Sequence, residues 1–177
     1  MPESQVNKLV SWPRFNIRDV LIATALLAIG LVWPILFPVI VPIIVAGIIA
    51  RMRFREPVLR ALYIVAAVYP FLWLSLVYLM WVNAWHILGR HPSPGNDDPA
   101  HISPFVSAVY DIAAVMFLLL PGALLAGFVS LMLTVEPRST ALKSTLVTRV
   151  ILLVGVYIAF YFWCAADPGQ AIEWFFD

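Results

Sequence analysis

Residues 21–50 read LIATALLAIGLVWPILFPVIVPIIVAGIIA, an apolar run that contains three prolines and no charged residue. As one helix this run would be about 45 Å long, whereas the hydrocarbon core of a membrane is about 30 Å thick. Proline lacks an amide donor and costs roughly 3 kcal/mol at an interior helical position. We therefore predict two short helices, about Ile17–Trp33 and Pro38–Met52, which form a proline-turned hairpin around residues 34–37.

The composition of the whole chain is typical of a membrane protein. Hydrophobic residues make up 63% of the 177 residues, charged residues only 12%, and the mean hydropathy is +0.94. Soluble domains carry roughly 25% charged residues. A net charge of +1 provides no basic field for nucleic acid, and the single cysteine, Cys164, excludes an internal disulfide. The length suits one integral membrane domain, residues 1–177.

Three further apolar segments follow the hairpin. They cover about Val58–His86, residues 104–134 and about Val150–Ala165. Ser103 and Pro104 are a favourable N-cap and first-turn pair for the second of these segments. Together the segments predict an all-α, polytopic transmembrane helical bundle with five apolar segments, or with four spans if the first run is one helix.

The distribution of cations predicts how the chain is threaded. With a hairpin that returns to the starting side, ten of the eleven Lys and Arg residues share one side, whereas a single crossing gives a split of seven and four. The positive-inside rule favours the hairpin. The ten residues are Lys8, Arg14, Arg18, Arg51, Arg53, Arg55, Arg60, Arg138, Lys143 and Arg149. A re-entrant hairpin that does not cross fully gives the same count, so this alternative stays open.

This threading assigns a side to each polar part of the chain. Residues 1–16 form a cytoplasmic or interfacial N-terminal segment, residues 87–103 an external polar loop and residues 166–177 an external interfacial tail. The N-terminus is then cytoplasmic and the C-terminus external.

The external loop and its border contain every histidine of the protein. Imidazole and carboxylate groups bind zinc and other divalent metals, which makes a metal site the first candidate. The candidate ligands are His86, His91, Asp97, Asp98 and His101. Their spacing matches no familiar motif such as H-E-x-x-H, and a solvated loop is the alternative interpretation. No cofactor is predicted.

One acidic residue, Asp111, lies inside an apolar segment, close to the expected membrane boundary. We predict that Asp111 pairs with His86 or Arg90 and so joins two helices, because these residues are expected at a similar depth and ionisable groups in membranes seek partners. Asn83 is a candidate for a hydrogen bond between helices.

The entry into the first apolar segment is Phe15–Leu21, with the sequence FNIRDVL. This F-x-[IL]-R-x-[LV]-L start resembles that of many uncharacterised small bacterial polytopic membrane proteins. The resemblance implies a bacterial cytoplasmic (inner) membrane and a cytoplasmic N-terminus. It implies no activity and no site residues.

The sequence contains patterns for close helix packing but no familiar motif for catalysis or nucleotide binding. Small residues at Ala123-x-x-x-Gly127 and Gly155-x-x-x-Ala159 permit close helix contacts, whereas the sequence contains no P-loop, G-x-S-x-G or G-x-G-x-x-G motif. We therefore predict a non-enzymatic accessory, scaffold or self-associating component whose partners are the lipid bilayer and other membrane subunits or itself. Pro70 and Pro121 leave a small transporter or channel as the alternative, and metal binding at the loop is the third hypothesis.

Overall fold

The computed structural model describes residues 17–32, 36–50, 52, 56–133, 140–168 and 170–177. Throughout these residues the regular structure is helical and no strand occurs, which confirms the predicted all-α class. The helices are α1 (Ile17–Val32), α2 (Phe37–Ala50), α3 (Pro57–Leu88), α4 (Pro99–Ile102), α5 (Pro104–Leu133), α6 (Thr140–Ala166) and α7 (Ala171–Phe176). The predicted N-terminal segment, residues 1–16, lies outside the described residues.

Helices α1 and α2 divide the apolar run that contains the prolines. Helix α1 ends at Val32 and α2 begins at Phe37, while residues 33–35 of the predicted turn region lie outside the described part of the chain. Pro38 stands in the first turn of α2, where its missing N–H is not needed, and Pro42 lies inside the helix. The two helices have 16 and 14 residues, below the about 17 that a span requires. The predicted count of five membrane segments is therefore not confirmed.

Among the described residues, three helices are long and apolar enough to cross a membrane. They are α3 with 32 residues, α5 with 30 residues and the 21-residue part of α6 that runs from Leu146 to Ala166. Helix α6 begins at Thr140 instead of about Val150, because no proline or glycine interrupts residues 140–150. Arg149, which precedes the apolar segment that we predicted from about Val150, is thus inside a helix, and only 6% of it is exposed.

Helix α3 is the centre of the bundle. In its most apolar window 50% of the residues are buried, against 17% in α5 and in α6. Helices α2, α5, α6 and α7 all pack against it. The buried aromatic side chains of α3 are Tyr63, Phe71, Trp73, Tyr78 and Trp81. Helices α5 and α6 therefore direct most of their residues away from the core.

Side chains that donate to backbone carbonyls fix the direction of α5 along α3. Trp73 Nε1 donates to Ala113 O at 2.8 Å. Ser130 Oγ donates to Leu59 O at 2.6 Å. Trp73 therefore contacts the first half of α5, whereas Leu59, near the start of α3, contacts the last turn of α5. The two helices thus run antiparallel.

Three helices come into close contact at Gly127 of α5. A Cβ atom added to this glycine would lie 2.9 Å from Ala66 Cβ in α3 and 3.0 Å from Leu153 Cδ2 in α6. The absence of a side chain lets the backbones approach, as small residues do in membrane helix contacts. The Ala123-x-x-x-Gly127 pattern therefore contributes to packing within the chain.

A hydroxyl group from α6 compensates for the proline in α3. Pro70 is buried and has no N–H, so the carbonyl of Ala66, four residues earlier, loses its helical donor. Tyr157 Oη donates to this carbonyl oxygen at 3.2 Å. Donors on neighbouring helices commonly satisfy the carbonyls that prolines free inside membrane helices.

This contact predicts a coupling between two residues of the core. Tyr157→Phe is expected to lower the free energy of unfolding by about 1–3 kcal/mol, because the Ala66 carbonyl is left without a donor. In a Pro70→Ala background the same change should cost much less, since alanine at position 70 restores the backbone N–H. The measurement is denaturant unfolding, in detergent micelles, of the wild type, the two single variants and the double variant. Tyr161→Phe is the control, because Tyr161 is an exposed tyrosine of the same helix. An equal cost in both backgrounds would contradict the compensation.

Candidate functional site

The candidate residues gather at the end of the bundle where α3 stops and α5 starts. We call this region the cap and define it as residues 89–103 together with residues 167–177. Gly89 ends α3 in the left-handed conformation with φ of 66°, and its N–H donates to Trp85 O, a common way for a helix to stop. Helix α3 therefore extends into the segment that we predicted as a polar loop.

The start of α5 agrees with the sequence. The Oγ atom of Ser103 accepts a hydrogen bond from the Val106 N–H at 3.2 Å, as expected of an N-cap residue. Pro104 is the first residue of the helix, where its missing donor costs nothing. The predicted Ser103–Pro104 helix start is confirmed.

An ion pair closes the loop between α3 and α4. Arg90 Nη1 and Nη2 each donate to one carboxylate oxygen of Asp97 at 2.7 Å, and the Ser93 N–H donates to Asp97 Oδ2 at 2.9 Å. The guanidinium of Arg90 and, after it, the Ser93 N–H hold the pKa of Asp97 below its usual value. Asp97 is therefore a charged acceptor that shapes the loop.

Asp98 organises the short helix α4. Its Oδ1 accepts from the Ala100 N–H at 2.8 Å, and its Oδ2 lies 2.6 Å from Nδ1 of His101. The backbone donor first, and His101 second, lower the pKa of this carboxyl. Asp98 thus acts as the N-cap of α4 and orients the exposed His101.

The other two histidines have different surroundings. His91 stacks on Trp85 with ring centroids 4.2 Å apart and an interplanar angle of 23°, and it lies 5.2 Å from the ring of Trp81. His86 is exposed in the last turn of α3. The loop therefore folds back over aromatic residues near the end of that helix.

The five candidate metal ligands belong to separate contacts. Asp97 binds Arg90, Asp98 contacts His101 and His91 stacks on tryptophan. Within the described ranges, which include the whole loop, no group of three or more His, Cys, Asp or Glu side chains has an arrangement that could hold a metal ion. Metal binding at His86, His91, Asp97, Asp98 and His101 stays a prediction.

The predicted pairing of Asp111 with His86 or Arg90 stays a prediction, and the ion pair found for Arg90 is a different one. Arg90 binds Asp97, which lies in the same loop and is reached without crossing to α5. Asp111 is exposed on α5, and none of the ion pairs found among the described residues includes it. Asn83 is half-buried on α3, and its side chain makes no hydrogen bond to another described helix. The helices at this end are joined by other residues.

The C-terminal tail joins the helices at the cap end of the bundle. Helix α7 buries Ala171, Ile172, Trp174 and Phe175. Trp174 Nε1 donates to the backbone oxygen of Asp97, and Phe175 packs edge-on against Trp73 with centroids 5.6 Å apart. The tail therefore connects the loop of the cap with the aromatic core.

Asp167 sets the direction of the tail. Its carboxylate accepts from the Ile172 N–H at 3.0 Å and from the Glu173 N–H at 2.9 Å, so it satisfies donors at the start of α7. The external interfacial position of residues 166–177 stays a prediction, and four of the six side chains of α7 are buried. In the sequence, a turn at Asp167–Pro168 precedes the apolar residues Ile172, Trp174 and Phe175. This pattern suits a packed helix as well as a helix at the surface.

The cap thus consists of an ion pair, a capped short helix and a tail that reaches the core. These contacts order the end of the bundle, and the exposed histidine and carboxylate groups of the cap remain available at its surface. Comparisons with protein-family models, with curated proteins and with solved structures found no match for this chain.

Proposed function

We propose that the protein is a non-enzymatic component of the bacterial inner membrane, an accessory or scaffold subunit that associates with further copies of itself. The observation that carries this proposal is the open face of α6. Gly155 and Ala159 are exposed there, and a Cβ atom added to Gly155 would meet nothing within 4 Å. Gly127, the equivalent small residue of α5, is already covered inside the bundle. A second helix can therefore approach α6 closely along this face.

The interior of the bundle is filled with side chains, and this supports a function that depends on contacts at the outer surface. Tyr63, Phe71, Trp73 and Tyr78 of α3 are each at most 2% exposed, and large side chains occupy the space between the helices. The two prolines that suggested a transport path have different environments, because Pro70 is buried and Pro121 is exposed. The transporter or channel alternative stays a prediction.

The proposed threading has a hairpin of α1 and α2 followed by three spans, with the N-terminus in the cytoplasm and the C-terminus outside. Two contacts support it. Trp174 of the tail binds the loop at Asp97, as required if both lie outside. Arg60 Nη2 donates to Ala50 O, so the end of α2 lies beside the start of α3 at the opposite, cation-rich end.

One contact of α2 supports a hairpin that reaches deep into the membrane. Phe37, the first residue of α2, stacks on Trp163 near the end of α6, with ring centroids 4.0 Å apart. The start of α2 is therefore at the level of the cap-side end of α6, and its last residue is near the start of α3. This supports a hairpin that reaches the outer half of the membrane.

Self-association through α6 is tested with an enlarged glycine. Gly155→Ile is expected to weaken dimer formation by about 1–3 kcal/mol, which is roughly 5- to 150-fold, because the β-branched side chain overpacks a small-residue contact and keeps the second helix away from the backbone. The measurement is Förster transfer between labelled copies diluted into lipid vesicles. Gly122→Ile is the matched control, since Gly122 of α5 also has open space around its added Cβ. A wild-type protein that is monomeric at all lipid dilutions would contradict self-association.

A further inference from the structure

The hairpin of α1 and α2 covers only part of the length of α3. At the cation-rich end, Arg60 Nη2 donates to Ala50 O, so the last residue of α2 lies beside Arg60, and an arginine at the end of an apolar helix is expected at the membrane boundary. At the other end of α2, the rings of Phe37 and Phe71 meet edge-on with centroids 6.4 Å apart. Phe71 follows Arg60 by 11 residues, which is about 16 Å of helix. Since the hydrocarbon core is about 30 Å thick, α2 begins near the middle of the membrane.

The connection between α1 and α2 is too short to carry the hairpin across the rest of the membrane. Residues 33–36 separate the end of α1 from the start of α2, and the two helices pack against each other. Helices joined by so few residues are antiparallel neighbours, so at most two of the four residues lead away from the end of α2. At about 3.5 Å per residue, they add about 7 Å to the hairpin. The hairpin therefore enters the cap-side half of the membrane without crossing it.

The other helices continue beyond the level at which α2 begins. Helix α3 extends from Phe71 for 17 more residues to Leu88, about 25 Å. In α6, Phe160 packs edge-on against Trp73 with centroids 5.7 Å apart, and six residues follow it to Ala166, about 9 Å. Of the described helices, five thus pass through the cation-rich half of the membrane, whereas α3, α5 and the end of α6 continue into the cap-side half and are joined there by the six-residue α7.

This arrangement gives the bundle a larger cross-section at its cation-rich end. A helix with its side chains is about 10 Å wide, so α1 and α2 together displace roughly 160 Å² of lipid from one leaflet. The side chains of α1 face lipid, as Ile17, Val20 and Leu21 show with exposed fractions of 81%, 54% and 63%. Helix α7 offsets only part of this area, because four of its six side chains are buried inside the bundle.

We propose that a single copy of the protein is a membrane wedge, which prefers a curved lipid surface whose convex side is at the cation-rich end. Bending the membrane in this direction enlarges the leaflet that contains the hairpin relative to the other leaflet, and so matches the shape of the bundle. Insertion into one leaflet is also what makes interfacial helices sensitive to curvature. The partner is the lipid surface itself. This property goes beyond the scaffold function, because it does not require contact between copies of the chain.

The test measures how the protein distributes between flat and curved membrane. The full chain is reconstituted in both orientations in giant phosphatidylcholine vesicles at high lipid dilution, and a narrow tube is pulled outward, so that the outer leaflet of the tube is the larger one. A fluorophore is attached either at Asp177→Cys in the cap or at Glu56→Cys at the cation-rich end, two exposed positions, in a Cys164→Ala background. A membrane-impermeant quencher then removes the signal of every label outside the vesicle.

The two labels should give opposite results. With the label at position 177, the remaining signal comes from copies whose cation-rich end faces outward, and we expect roughly twofold or greater enrichment in the tube. With the label at position 56, the signal comes from the reverse orientation and should be depleted there. Equal distributions for the two labels would overturn the proposal, since thinning of the membrane around short helices does not depend on orientation. Loss of the enrichment in Gly155→Ile would also overturn it, because the wedge would then be an assembly and not a single copy.

Two further measurements test the short hairpin as the cause. A bimane label at Leu36→Cys, beside the start of α2, should be quenched best by lipids brominated deep in the acyl chains, whereas a label at Leu79→Cys, about 28 Å from Arg60 along α3, should be quenched best by lipids brominated close to the headgroup. Both leucines are exposed, by 40% and 50%. Inserting four leucines into each of α1 and α2 lengthens the hairpin by about 6 Å and should reduce the enrichment of the label at position 177. An unchanged enrichment in the lengthened protein, or strongest quenching at position 36 by the shallow bromines, would refute the wedge.

Discussion

Replacing Trp73 by alanine is expected to lower the free energy of unfolding by about 3–5 kcal/mol, the usual cost of removing a buried tryptophan. Trp73 is 1% exposed, and its indole N–H donates to Ala113 O. Its ring contacts four phenylalanines that come from three helices, with centroids between 5.4 and 6.3 Å away: Phe117, Phe160, Phe175 and Phe176. The substitution therefore leaves a cavity where α3, α5, α6 and α7 meet.

The measurement is denaturant unfolding in mixed micelles, followed by circular dichroism. Phe162→Ala is the control, because Phe162 is 65% exposed on α6 and its removal should cost far less. Trp73→Phe should have an intermediate effect, since it keeps an aromatic ring but leaves the Ala113 carbonyl without the indole donor. Similar losses for Trp73→Ala and Phe162→Ala would show that Trp73 is not at the centre of the packing.

Two glycines in α5 are expected to respond to the same change with opposite signs. At Gly127 an added methyl group meets Ala66 Cβ at 2.9 Å and Leu153 Cδ2 at 3.0 Å. Gly127→Ala should therefore destabilise the protein by about 1–3 kcal/mol, because a packed interior resists an extra carbon. Gly127→Leu should prevent the close contact altogether and cost more.

At Gly122 the added methyl group meets nothing within 4 Å. Gly122→Ala should stabilise the protein by up to about 1 kcal/mol, since alanine is the better helix former. Both variants are measured by the same unfolding experiment as the tryptophan series. Unchanged stability in Gly127→Ala would contradict the close contact at Gly127, and a loss of stability in Gly122→Ala would contradict the open space at Gly122.

Local features of the sequence predicted the helix boundaries well. The prolines divided residues 21–50, and Ser103 with Pro104 marked the start of α5, because these effects depend only on neighbouring residues. Helix α6 begins earlier than the apolar pattern predicts, because the polar residues from Thr140 onward are compatible with a helix. Hydropathy finds the part of a helix that lies in lipid, and a helix can continue beyond it.

Contacts between distant parts of the chain were harder to predict. Arg90 has three acidic residues within reach along the sequence, namely Asp97, Asp98 and Asp111, and the choice of Asp97 depends on the turn that the Ser93 N–H stabilises. The packing of α7 depends on Trp73 and Asp97, which lie far from the tail in sequence. Periodicity and composition carry no information about such contacts, so the candidate site was identified as a region and not as a set of partners.

The hydrogen bond from Tyr157 to Ala66 also has a consequence for how related sequences vary. As long as position 70 is proline, the carbonyl of Ala66 depends on a donor from the neighbouring helix. A sequence with any other residue at position 70 supplies that donor from its own backbone, and position 157 is then free to lose its hydroxyl. In related sequences, proline at position 70 should therefore occur together with tyrosine at position 157, although the two residues lie on different helices.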